Sequence, residues 1–95
     1  MEDILESIGT PALLEQCAEE AVELAHACLK LARKLRGENP TPMTEAVAKS
    51  HLIEEAADVD LCLDAVIKAY PLPIANIESM RVEKEQRWKT RINNK

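Results

Sequence analysis

The sequence predicts an all-α protein, an antiparallel helical bundle completed by oligomerisation. Three observations predict it. The chain is rich in Leu, Ala, Glu and Lys and has only two glycines, Gly9 and Gly37, a composition that favours helix. Its apolar residues recur at intervals of three and four, and no segment alternates with the period of a strand. Further apolar residues fall off these stripes, Val22 and Leu29 early and Ile53 and Leu61 later, where a lone chain would expose them. At 95 residues the chain reads as a single domain, with residues 1–9 as an N-terminal segment and 81–95 as a basic C-terminal helix and tail.

The first long helix opens at "TPALLEQ". Thr10 suits the N-cap, and Pro11 suits the first helical position, where a missing N–H costs nothing. Its stripe is Leu13, Cys17, Ala21, Leu24, Cys28, Leu31 and Leu35. "KLARKLRG" closes it, with cations at the negative end of the helix dipole and Gly37 as the stop. A turn with Pro40 and Pro42 follows. The second helix begins near Thr44 and runs through Leu52, Val59, Leu63, Val66 and Tyr70 to Pro71, with Ser50 marking a break between a short piece and a longer one. "PLP" is a hard stop, and Asn76 is the expected N-cap of a third helix.

Charge and cysteine usage narrow the function. A net charge of −5 speaks against a general nucleic-acid binder. Residues 81–95 carry net +4, from Arg81, Lys84, Arg87, Lys89, Arg91 and Lys95 against Glu83 and Glu85, which leaves −9 on the first eighty. Cys17, Cys28 and Cys62 are odd in number, form no CxxC pair and lie on apolar faces, so they read as reduced core thiols of a cytoplasmic protein. "MEDILESIG" is too acidic and short for a signal peptide, and no apolar run is long enough to span a bilayer. Two glycines leave no room for a phosphate-cradling loop.

The acidic residues are patterned. "EEAVE" (19–23) and "EEAAD" (54–58) place Glu20 with Glu23, and Glu55 with Asp58, three residues apart on one helix face. At about 100° per residue, Glu20 and Glu55 fall at the edge of their apolar stripes and Glu23 and Asp58 further round. The offset has the same hand in both helices, so an antiparallel pair or a dimer axis can bring the flanks together. Edge carboxylates facing one another repel unless protons or cations neutralise them. A hard divalent cation, Mg²⁺ or Mn²⁺, does so directly. The competing reading is an ordinary solvated helix face; two motifs of matching spacing, each at a core edge, weigh against it.

These motifs, their order and the "DV" after the second resemble the all-α nucleoside triphosphate pyrophosphohydrolases, the MazG-like group related to dimeric dUTPases, over roughly residues 10–92. The resemblance implies Mg²⁺ (or Mn²⁺) held by Glu20, Glu23, Glu55 and Asp58, with Glu19 polarising a water or holding a further metal. It implies a nucleoside triphosphate cleaved between the α- and β-phosphates to a monophosphate and pyrophosphate. It also implies a homodimer or homotetramer. "KEQRWKTR" is similar to the family's cationic last helix, which makes Lys84, Arg87 and Arg91 expected phosphate contacts. Cys62 stands where several relatives have an aromatic, and Trp88 and Tyr70 are the only aromatics available for base stacking. Two alternatives remain open. One is a non-catalytic dimerisation or regulatory module of the same fold, against which the four retained acids count. The other is a di-iron carboxylate bundle built from Glu23, His26 and Glu55 of two copies, which leaves Asp58 and the paired glutamates without a role.

Overall fold

A computed structural model describes residues 2–37 and 42–94, with side chains from Ile8 onward. All the regular structure in this range is helical: α1 (Glu2–Arg36), α2 (Glu45–Ala69) and α3 (Ile74–Asn93). α1 contains a break at Gly9, whose φ of 78° and ψ of 167° belong to a region that only glycine occupies freely. The chain therefore re-enters helix at Thr10 and Pro11, where the sequence places the start, and the residues before Gly9 add a short helical piece of their own. Arg33, Lys34 and Arg36 occupy the last turn, and Gly37 follows at φ 72°, its N–H donating to the Lys34 carbonyl. Pro42 and Met43 form a bend, whereas Pro40 lies outside the described residues.

The Thr44 hydroxyl caps α2 by accepting from the Val47 N–H at 3.2 Å. No break occurs at Ser50, because one serine in a well-capped run of helix formers interrupts neither the backbone bonds nor the packed face. α2 ends before Pro71. α3 starts at Ile74 rather than after Asn76: Pro73 occupies the cap position and its carbonyl accepts from the Asn76 and Ile77 N–H groups. The Pro73 carbonyl thus takes the Asn76 N–H that a side-chain cap would otherwise accept.

α1 and α2 pack as an antiparallel hairpin. Leu13 near the start of α1 meets Ala65 and Val66 near the end of α2, while Ala27 lies beside Ala48. The seam runs through Leu13, Cys17, Glu20, Leu24, Ala27 and Leu31 on α1 and through Ala48, Leu52, Glu55, Val59, Cys62, Val66 and Ala69 on α2, all buried or half-buried, with buried Ala65 beside Val66. Both series step by four and three, the spacing of a two-helix seam. This seam is rotated from the expected stripe. Ala27 is buried, while Ala21, Cys28, Leu35, Leu63 and Tyr70 are exposed. Small residues let two backbones approach closely, so Ala27 and Ala48 set the contact and the larger apolar side chains beside them are left outside. Cys28 is accordingly a surface thiol, not a core one.

α3 extends away from this hairpin. None of its residues is buried, and among the described residues it makes almost no contact with α1 or α2. The radius of gyration is 16.8 Å, against about 12–13 Å for a compact domain of this length.

Candidate metal centre

The 4-3 seam has a carboxylate at one level in each helix. Glu20 and Glu55 hold positions that an apolar residue fills above and below them, and both are half-buried. They lie between the Leu13–Val66 core cluster and the Ala27–Ala48 contact, because that is where the antiparallel register sets the two motifs against each other. Asp58, one turn beyond Glu55, joins them. Glu20, Glu55 and Asp58 each offer an oxygen within 4.8 Å of the others. Oxygens on opposite sides of one cation are about 4.2 Å apart for Mg²⁺ and about 5 Å for Ca²⁺. The 4.8 Å limit on the trio falls between these spans, so its oxygens must draw together to hold Mg²⁺, and its all-oxygen chemistry suits a hard divalent cation.

The electrostatics point the same way. Burial pushes the Glu55 carboxyl above the ordinary value of 4.5, and Asp58, Glu20, Glu23 and Glu54 raise it further, in that order. The Gln16 amide donates to Glu20 Oε1 at 2.8 Å and orients that carboxylate. Among the described residues the ion pairs are Lys68–Asp64, Arg87–Glu83 and Lys89–Glu85, none of which reaches the trio. Close to the same level, burial and then Glu20, Cys17 and Asp58 push the Cys62 thiol up.

The remaining site candidates are distributed around this centre. Glu23 is exposed and lies outside the trio, yet close enough to act on Glu55. It lines a polar hollow of about 210 Å³ with His26, Lys30, His51, Glu54 and Glu55. Glu19 is exposed and borders neither the trio nor the hollow. Lys84, Arg87 and Arg91 stand on α3 among its own residues: Lys84 flanks a groove with Met80 and Trp88, and Arg87 and Arg91 flank another with Glu83 and Thr90. The structure thus gathers three of the four expected ligands and leaves the cations of α3 apart from them.

Sequence reasoning passed over Lys30 in the hollow and Gln16 as the partner of Glu20, and set aside the i,i+4 spacing of His51 and Glu55 as coincidental. The signal was present in the 4-3 spacing that runs through Ala27 and Ala48, which sets His51 and Lys30 on the same side of the seam as Glu23. Compared with protein-family models, with curated proteins and with solved structures, the chain has no significant match.

Proposed function

We propose that this chain is a divalent-cation-dependent nucleoside triphosphate pyrophosphohydrolase, acting as a homodimer or homotetramer in the reducing cytoplasm. The observation that carries the proposal is the meeting of Glu20, Glu55 and Asp58 within the seam, at a separation one cation spans. Mg²⁺, or Mn²⁺ in its place, supplies charge neutralisation for a triphosphate and lowers the pKa of water. Glu20, Glu55 and Asp58 would hold the cation, with Glu23 and Glu54 extending the negative field toward the polar hollow. The resemblance assigns the proton of the attacking water, or a further cation, to Glu19, which lies outside both the trio and the hollow. Lys84, Arg87 and Arg91 bind the phosphates, since the chain offers no glycine loop to do so. One water adds across the α–β anhydride, giving a nucleoside monophosphate and pyrophosphate.

Incubation with canonical dNTPs and NTPs plus Mg²⁺ or Mn²⁺ tests this reading. Release of monophosphate and pyrophosphate, abolished by Glu20→Gln or Asp58→Asn, supports it. No release from any nucleotide favours the non-catalytic helical module. The di-iron alternative has less support, because among the described residues the one cluster suited to a metal is the carboxylate trio, and His26 and His51 are not in it.

A further inference from the structure

The three cysteines take no part in the proposed hydrolysis, and two of them face each other. The seam fixes where. Leu13 packs with Val66 at one point, and Glu20 reaches Asp58 at another. Cys17 stands four residues after Leu13, and Cys62 four before Val66. At a rise of about 1.5 Å per residue, antiparallel helices carry both thiols about 6 Å along the seam from the Leu13–Val66 contact, to one level. Both are half-buried seam positions. Cys17 packs against the Leu13, Ala65 and Val66 cluster, and its thiol is close enough to act on that of Cys62.

The spacing of the helices suits a covalent bond at this level. A disulfide needs Cα atoms about 4.4–6.8 Å apart. Packed helices lie about 8–10 Å apart between axes, and each Cα stands about 2.3 Å off its own axis. Residues pointing straight at each other therefore have Cα atoms about 3.4–5.4 Å apart, and seam positions that point slightly aside stand a little wider. The two ranges overlap, so facing cysteines can be joined without parting or turning the helices. Cys28 gives the contrast: it is exposed and lies off the seam, with neither of the other cysteines facing it.

We propose that Cys17 and Cys62 are a redox-sensitive pair that hydrogen peroxide closes into a disulfide across the seam, pinning α1 to α2 about one turn from the carboxylate trio. The Cys17 sulfur attacks one peroxide oxygen, the O–O bond breaks and water leaves, giving a sulfenic acid. The Cys62 sulfur then attacks the Cys17 sulfur, the S–O bond breaks, and a second water leaves with the thiol proton. Two thiols give up two electrons and two protons, and one peroxide takes them as two waters. The second step is intramolecular, so a high local concentration offsets the small thiolate fraction of the raised Cys62 thiol. In a reducing compartment thiol exchange reopens the bond, which is the behaviour of a sensor and not of a structural staple. The pair is independent of the hydrolysis and of the cation.

The full chain tests this by intact mass and maleimide labelling after a small excess of hydrogen peroxide. In Cys28→Ser only the facing pair remains. The expected product is a single chain lighter by two hydrogens, closed to maleimide and restored by dithiothreitol. Its melting temperature should exceed that of the reduced chain by about 10 °C or more, because the bond closes residues 17–62 into a loop in the unfolded state. In the wild type, Cys28 alone should stay open to maleimide. Adding Cys17→Ser or Cys62→Ser to Cys28→Ser should abolish both the mass loss and the rise. Cys62→Ala repeats the test without a hydroxyl in the seam, and circular dichroism of the reduced chains checks that each is folded. Thiols that stay free, or that oxidise to sulfinic acids without pairing, overturn the inference. So does a bond that forms only between chains or only in denaturant. An oxidised chain less stable than the reduced one overturns it too, because the bond would then strain the seam.

Discussion

Leu13 and Ile77 are both apolar residues in helices of three-four periodicity, yet Leu13 is 1% exposed and Ile77 is 39% exposed. The difference lies in what each helix has to pack against. α1 and α2 face each other over a continuous seam closed by Leu13, Ala65 and Val66 at one end and by Ala27 and Ala48 towards the other. α3 has a stripe but no partner within the chain. Amphipathic patterning specifies that a face will be buried, not which surface will bury it. The hairpin, already paired, can hold charged side chains in its seam; α3, unpaired, keeps its cations in solvent and its apolar groove open.

On the proposed function, the largest effect that separates the two regions is on turnover. Glu55→Gln or Asp58→Asn should lower nucleotide hydrolysis by at least about 100-fold, the scale of losing one charge-stabilising group at a reacting centre. Arg91→Ala on α3 should cost only about 10-fold, chiefly in KM, as expected for loss of one charged phosphate contact. Equal losses at the two sites would break the comparison.

Stability follows. Leu13→Ala should destabilise the fold by about 2–5 kcal/mol in denaturant titration. Ile77→Ala, measured at concentrations where the chain is monomeric, should leave the midpoint nearly unchanged.

A third difference is in pH dependence. The folded state holds the Glu55 proton more tightly than the unfolded state does, because burial and neighbouring acids raise its pKa. Its contribution is therefore favourable below the ordinary carboxylate value and is lost as pH rises through the raised one. Without divalent cations, the melting temperature should increase as pH falls from neutral toward that range, and Glu55→Gln should flatten this rise. The smallest effect is at the helix starts. Thr44→Ala removes the hydroxyl that accepts from Val47 and should cost about 1 kcal/mol. Asn76→Ala, at the start the sequence assigns to α3, should cost much less, because Pro73 occupies the cap.

The limits of the hairpin were legible because they rest on local chemistry. The helix start near Thr44, the stop at Gly37 and the "PLP" stop each act within a few residues of their own position. The rotation of the seam was not legible from hydrophobicity alone. Leu35 and Cys28 are more apolar than Ala27, yet alanine is the residue that close helix contact prefers, so the stripe drawn through the larger side chains missed the true one. That rotation matters for the candidate site. The sequence puts Glu20 and Glu55 at the edge of their stripes, whereas the structure puts them in the seam, where removal from water and mutual repulsion both act on Glu55. The placement of α3 was not legible either, because nothing in a helix's own periodicity encodes its distant partner.

The central claim is that the carboxylate trio is a cation site and not a strained cluster of acids. Mn²⁺ titration followed by melting temperature, on the wild-type chain and on Glu55→Gln at neutral pH, tests it most directly. A cation site predicts that Glu55→Gln starts more stable than the wild type without metal, and that Mn²⁺ then raises the melting temperature of the wild type but not of the variant. An equal response of both chains to Mn²⁺, or no response from either, would contradict it.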